Sequence, residues 1–166
     1  GASYGGYSTY YLAGHHEKRF KAFIAHCGMF NFESFYGSTE ELWFPRNDLG
    51  GPYWSNNATA RRSYANSPHK SVAAWDTPIM IIVGQLDYRI PYTESLQAFT
   101  AARSRGLDSR LVFFEDEGHQ VFKPQNSLVW HDEFFGWLDK YVKNPGKVER
   151  QARPEDKETD KETDKR

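Results

Sequence analysis

Gly1-Ala2-Ser3-Tyr4-Gly5-Gly6-Tyr7 sets a serine between glycines in the pattern G-x-S-x-G. This pattern is the mark of a nucleophile elbow: a strand enters a sharp turn, the turn lifts the serine hydroxyl clear of the backbone, and a helix leaves on the far side. The doubled glycine Gly5-Gly6 suits a helix packed closely beneath such a turn, where side chains have no room. Short Gly-Ser patterns also recur in plain turns, so the reading needs partners elsewhere. Two lie downstream. Asp87 stands just past the most apolar run of the chain, Ile79-Met80-Ile81-Ile82-Val83, and His119 just past a second strand-like run, Leu111-Val112-Phe113-Phe114.

The segments between these points alternate. Tyr4 to Ala13 reads as a helix closing at Gly14, and Lys21 to Cys27 as a short strand. An irregular, aromatic-rich stretch follows from Gly28, after which Ser38-Thr39-Glu40-Glu41 offers a capping box for a short helix. Asn47 to Asn57, with Gly50-Gly51-Pro52 inside it, is a loop, and Ser67-Pro68 starts another short helix. Pro78 to Gly84 is the clearest strand, apolar on both faces as a central parallel strand is. Tyr92 to Arg105 reads as a helix ended by Gly106, Ser109 to Phe114 as a strand, and Ser127 to Val142 as a last helix. That last helix carries Trp130, Phe134, Trp137, Leu138 and Tyr141 on one stripe.

Helices alternating with strands specify an α/β fold with a parallel sheet. About three strands are present, against the roughly five or six of an ordinary sheet. An elbow also needs a strand ahead of its serine, and Ser3 has almost no chain before it. The expected fold is therefore the C-terminal part of an α/β-hydrolase domain, a parallel sheet remnant of about three strands flanked by helices over residues 1–143. Residues 144–166, where Lys157-Glu158-Thr159-Asp160 is repeated as Lys161-Glu162-Thr163-Asp164, have almost nothing to bury and are expected to form a charged disordered tail.

Composition removes several classes of function. A formal net charge of −1 points to no nucleic-acid partner. No apolar run approaches the roughly 18 residues of a membrane-spanning helix. Cys27 is the only cysteine, so no disulfide can form within the chain, and its apolar setting in Phe23-Ile24-Ala25-His26-Cys27 suggests a buried, inert thiol. No His/Cys/Asp group has metal-ligand spacing, so neither a metal nor a cofactor is expected. The 12 Phe, 10 Tyr and 5 Trp exceed what a core of this size uses, which suggests that some of them line a pocket.

Ser3, Asp87 and His119 occur in the chain order of an α/β-hydrolase triad, each just beyond a strand or at an elbow. Ligand sites in open parallel sheets form beyond the carboxyl ends of strands. The expected chemistry is acyl transfer: His119 takes the proton of Ser3, Ser3 attacks a carbonyl, and water releases the acyl-enzyme, while Asp87 orients the imidazole. The backbone amide of Tyr4, at the start of the helix, is the expected oxyanion donor. Glu115 and Asp116 are read as solvated loop charges, and the other five histidines lack the loop position of His119.

The elbow, read as G-x-S-Y-G-G, resembles that of the prolyl oligopeptidase family of serine peptidases. Gly84-Gln85-Leu86-Asp87-Tyr88-Arg89-Ile90-Pro91 is similar to that family's segment around the acid, and Phe114-Glu115-Asp116-Glu117-Gly118-His119 to its histidine loop. The resemblance covers residues 1–142 and is strongest to the dipeptidyl-peptidase and acylaminoacyl-peptidase branch. It implies a larger protein with an N-terminal β-propeller, a second oxyanion donor upstream, and peptide substrates trimmed by dipeptides. It places Phe30, Phe32, Phe35 and Tyr36 at the pocket for the side chain before the cut, with core packing as the plain alternative. It places Arg89 against the substrate backbone, with a surface ion pair as the alternative. A homodimer is left open, and the compartment is undetermined, with the resemblance inclining toward the periplasm. An acylaminoacyl-peptidase or a carboxylesterase shares the triad. A non-catalytic binding module on this fold would be expected to have lost part of it. The chain alone, without the upstream strand and donor, is expected to be weakly active or inactive.

Overall fold

The computed structural model describes residues 1–143; the tail expected over residues 144–166 lies outside them. Three strands, β1 (Phe23–His26), β2 (Ile79–Gly84) and β3 (Ser109–Phe114), form a parallel sheet in the order β1-β2-β3. Phe23 pairs with Ile79, and Ile79 with Ser109. Every residue of β2 is buried, as its uninterrupted apolar run requires for a strand covered on both faces. Alternate side chains of β2 then enter different cores. Ile79 and Ile81 pack with Tyr10, Trp75, Ala98 and Ala102 beneath α1 (Tyr4–Ala13) and α5 (Tyr92–Ser104). Met80 and Ile82 pack with Trp137 and, at their margin, Trp130, Phe134 and Tyr141 of the opposite layer, beneath α6 (Pro124–Leu138) and the turn that follows it. Burying one such side chain stabilises the fold by about 1.5–3 kcal/mol.

The crossover from β1 to β2 differs most from the sequence expectation. The stretch expected to be irregular contains α2 (Phe32–Ser38), and Ser38 ends that helix instead of capping a new one. The reason is Asn31, whose side chain accepts hydrogen bonds from the amides of Glu33 and Ser34 and starts the helix earlier. Ser38 Oγ instead donates back to the Ser34 carbonyl. The next helix, α3 (Trp43–Asp48), begins beyond the supposed box. A further helix, α4 (Ala58–Ala65), is capped by Asn57, which accepts from the Ala60 amide at 2.7 Å. The Ser67-Pro68 helix is a 3₁₀ turn over Pro68–Ala74. The last helix starts three residues earlier than expected because Pro124, with no amide hydrogen to satisfy, fits its first turn.

Gly1 to Ser3 run beside β1. Ala2 bridges His26 in parallel fashion, and the Ser3 amide donates to the His26 carbonyl at 2.9 Å. Ser3 itself has φ 58°, left-handed backbone that costs a non-glycine residue about 1–3 kcal/mol. The turn is held by backbone contact below it. A Cβ on Gly6 would lie 2.6 Å from the His26 carbonyl oxygen and 2.7 Å from Gly28 Cα. A Cβ on Gly5 would meet nothing within 4 Å. The closeness that the glycine pair suggested therefore belongs to Gly6 alone.

A clear contrast follows. Gly6→Ala is expected to destabilise the chain by about 1–3 kcal/mol, because both obstacles are backbone and cannot rotate away. Gly5→Ala is expected to be neutral or stabilising by up to about 1 kcal/mol, since alanine is the better helix former. Urea unfolding of the two variants measures the difference, and equal midpoints would mean that the helix is not seated this closely.

Candidate active site

The side chains of Ser3, His119 and Asp87 form one chain of hydrogen bonds. Ser3 comes from the elbow, Asp87 from the loop after β2, and His119 from the loop after β3. His119 Nε2 is 3.0 Å from Ser3 Oγ, and His119 Nδ1 is 2.8 Å from Asp87 Oδ2. An ionised carboxylate only accepts, so Nδ1 carries a hydrogen and donates it to Asp87. In the neutral ring this leaves Nε2 as the acceptor for the Ser3 hydroxyl. Asp87 is 1 % exposed, and its other oxygen accepts from the amides of Arg89 (3.1 Å) and Ile90 (2.9 Å). The carboxylate is thus locked by its own loop. The Tyr4 amide is the first of α1, ahead of which the backbone is not helical and offers it no intrahelical carbonyl, so it is left as a donor beside Ser3.

Two glycines and a carboxylate bring the histidine loop to the acid loop. A Cβ on Gly84 would lie 2.3 Å from the Gly118 carbonyl oxygen, so β2 leaves the sheet in backbone contact with the residue before His119. The Leu86 amide donates to the Glu117 carbonyl at 2.9 Å. Glu117 is buried, and its carboxylate accepts from the amides of Phe122 and Lys123 and from Asn126 Nδ2. Burial pushes its pKa up, but the bonds from Asn126 and the two amides outweigh this and hold it below the ordinary value. Sequence reasoning passed over Glu117 because its acceptors come from a loop whose path is a tertiary outcome. Asp116 is exposed and pairs with Lys123 at 2.6 Å.

Glu94, in the first turn of α5, was also missed. It is fully buried and accepts from the amides of Phe30 (2.9 Å) and Asn31 (2.7 Å) and from Ser34 Oγ. Burial raises its pKa despite those bonds. Glu94 fixes the exit of β1 and the start of α2, and so the wall of the neighbouring pocket.

That pocket holds about 350 Å³ and is walled by Tyr4, Tyr7, Met29, Phe32, Phe35 and Phe44 among others. Two of the four aromatics named from the sequence, Phe32 and Phe35, therefore face a cavity next to the elbow. The other two do not line it. Phe30 is 3 % exposed and packs edge-on against Tyr10 and Trp75 in the core under α1, because its backbone is held there by the Glu94 carboxylate on its amide and by the His69 amide on its carbonyl. Tyr36 shares a buried cluster with Phe32 and Phe35 but packs edge-on against Trp54 and Tyr53, away from the cavity lining. Arg89 lines a separate cleft with Asp87 and His119, and its guanidinium pairs with Glu41 at 3.2 Å. No helix among the described residues is long and apolar enough to cross a membrane.

The sequence matches the prolyl oligopeptidase family over residues 1–145. It is 56 % identical over 144 residues to dipeptidyl-peptidase 5 of Porphyromonas gingivalis, covering 86 % of this chain and 21 % of that protein. It is 41 % identical over 145 residues to dipeptidyl-peptidase 5 of Schizosaccharomyces pombe, covering 87 % and 21 %. The chain thus spans about a fifth of the length of these relatives. Among solved structures it resembles Pyrococcus horikoshii acylaminoacyl peptidase with a TM-score of 0.79 at 22 % identity, over 90 % of this chain and 24 % of that one. It resembles Porphyromonas gingivalis dipeptidyl peptidase 4 with a TM-score of 0.71 at 16 % identity, over 86 % and 19 %. These likenesses place the parallel sheet and its flanking helices among the α/β-hydrolase folds.

The Asp87 carboxylate, and next to it Cys27, hold the His119 pKa well above the ordinary histidine value, against the opposing effect of burial. The pair therefore contributes stability that is complete below about pH 6.5, the unfolded value, and is lost as pH rises through the raised folded value. In an NMR titration the His119 ring is expected to change protonation above pH 6.5. Asp87→Asn, which keeps an acceptor for the Arg89 and Ile90 amides, is expected to lower that midpoint. A wild-type midpoint at or below 6.5 would mean that the carboxylate does not govern the ring.

Proposed function

The chain belongs to the prolyl oligopeptidase family, and on that footing we propose that it carries the catalytic serine, acid and base of a serine peptidase that releases N-terminal dipeptides. The observation that supports this most is the hydrogen-bonded sequence Ser3–His119–Asp87, with the serine held in left-handed backbone above the start of α1. In the fraction of molecules whose ring is neutral, which grows as pH rises toward the raised pKa, His119 takes the Ser3 proton as Oγ attacks the scissile carbonyl. The Asp87 bond stabilises the imidazolium that forms, which is the same effect that raises the ring's pKa. The Tyr4 amide donates to the oxygen that becomes negative. Protonated His119 then gives its proton to the departing amine, and water, activated by the same ring, releases the acyl group. Phe32 and Phe35 in the adjoining pocket favour an apolar side chain before the cut. Arg89, at the mouth of the cleft, is assigned to the substrate backbone, for which it would leave Glu41.

Dipeptide release rests on the resemblance to the named relatives, of which this chain spans about a fifth, so the remaining parts of the site belong to a longer polypeptide in this reading. The domain assignment, residues 1–143 as the C-terminal portion of a hydrolase domain, is part of the same proposal.

Labelling with a fluorophosphonate probe tests it, on this chain and on the longer protein expected to contain it. Label is expected on Ser3, absent in Ser3→Ala and strongly reduced in His119→Ala. In the longer protein either change is expected to lower turnover by about 10⁴-fold or more. Chromogenic dipeptidyl, acyl-amino-acid and short-chain ester substrates read on the same samples choose among dipeptidyl peptidase, acylaminoacyl-peptidase and carboxylesterase. Label that survives in Ser3→Ala would overturn the assignment of the nucleophile.

A further inference from the structure

Cys27 follows β1 directly and is held in an unusual place. Its backbone has φ 43°, and its amide donates to the Ile82 carbonyl at 2.9 Å. The side chain is 1 % exposed, and Sγ lies 3.9 Å from Nε2 of His119. That same nitrogen is 3.0 Å from Ser3 Oγ. One imidazole nitrogen therefore faces a sulfur and a hydroxyl, while the other is bonded to a buried carboxylate.

This arrangement has the parts of a metal site. A histidine that binds a metal almost always donates its second ring hydrogen to a carboxylate or carbonyl, which fixes the tautomer and raises the basicity of the ligating nitrogen. Asp87 does this for His119. The donor atoms of Cys27, Asp87 and His119 all lie within 4.8 Å of one another, but Asp87 stands behind the ring and serves as its support rather than as a ligand. The distances suit a four-coordinate ion. With zinc–sulfur and zinc–nitrogen bonds of about 2.3 and 2.0–2.1 Å, a separation of 3.9 Å corresponds to an angle of roughly 130° at the metal, and the 3.0 Å to Ser3 Oγ to roughly 95°. Zinc, with a filled d shell, accepts such departures from the tetrahedral angle.

Access is also provided. Ser3, Cys27 and His119 line a cavity of about 270 Å³ together with Ala2, His26 and Trp130. This gives an ion a path in and leaves room for a water on it. His26 in that wall has a buried Nε2 with no hydrogen-bond partner among the described residues. Burial, and then the neighbouring His119, hold its pKa down to about 4, so it stays neutral.

We propose that Cys27, His119 and Ser3 form an inhibitory site for a thiophilic divalent cation, zinc above all. On binding, the Cys27 thiol and the protonated Nε2 of His119 each release a proton to solvent, and the thiolate bonds the metal. The His119 Nε2 lone pair becomes the second bond and the Ser3 hydroxyl oxygen the third. Nδ1 keeps its hydrogen and its bond to Asp87. The lone pair that would receive the serine proton is then occupied. The binding itself does not depend on the proposed peptidase reading; only its inhibitory consequence does.

Cobalt(II) and zinc(II) titrations of the 166-residue chain test the site without any turnover. One equivalent of cobalt is expected to give a thiolate-to-metal charge-transfer absorption that zinc then displaces. Cys27→Ser and Cys27→Ala are expected to abolish that band and to weaken zinc binding by at least tenfold, with circular dichroism reporting that each variant is folded. Asp87→Asn is expected to weaken zinc binding by about 10–100-fold through its hold on the ring. Zinc is further expected to block fluorophosphonate labelling of the wild-type chain, with a chelator restoring it, and to spare Cys27→Ser. Absence of the cobalt band, or equal zinc affinity in wild type and Cys27→Ser, would overturn the site. The band in this chain, together with a longer protein that never takes the serine probe, would keep the metal site and count against the peptidase reading.

Discussion

The seating of α1 on the end of β1 is the constraint on which the rest of the molecule depends. The Ser3 amide bonds the His26 carbonyl, and Gly6 lies against that carbonyl and against Gly28 with no space for a methyl group. The same approach holds the left-handed backbone of Ser3 on one side and that of Cys27 on the other. Each of those conformations is costly alone. Together they place a hydroxyl and a thiol beside one imidazole nitrogen, and the packed sheet beneath keeps them there.

Buried carboxylates do the second part of the work, and each closes a different loop. Asp87 accepts two amides of its own loop with one oxygen and the His119 ring with the other. Glu117 gathers the chain after His119 by accepting from Phe122, Lys123 and Asn126. Glu94 reaches across from α5 to the amides that follow β1. A buried carboxylate left without donors would cost several kcal/mol, so each loop is obliged to bring its amides inward. The parallel order of the strands then puts all of these loops at one edge of the sheet, where their carboxyl ends emerge.

Much of this is legible along the chain. The apolar run Ile79 to Val83 reads as a central strand because only a strand covered on both faces buries every residue in turn. The glycines and the order of Ser3, Asp87 and His119 carry the local chemistry of a turn and of two loops beyond strands. The crossover between β1 and β2 is less legible. Asn31 and Asn57 are plain helix caps in retrospect, yet their helices of seven and eight residues are too short to show a sustained stripe and are held in one cluster by Phe32, Phe35 and Tyr64 with Ile90. The aromatics there share one composition and have two fates: Phe32 and Phe35 meet a cavity, while Phe30 fills the core.

Residue type and spacing alone sufficed for the α/β class and for singling out the serine turn and the two loop residues that the fold brings into one chain of hydrogen bonds, because each of these is written in a few neighbouring residues. Cys27 shows the limit of that reading. As a lone thiol in an apolar strand it reads as inert, and it is indeed buried, but 92 positions separate it from His119, and only the folded sheet brings the two within 3.9 Å. The partners of Glu94 and Glu117, the direction in which each aromatic side chain faces, and the company kept by Cys27 are relations between distant segments. They were decided by how the layers pack and which buried groups had to be satisfied, and no local pattern of residues encodes them.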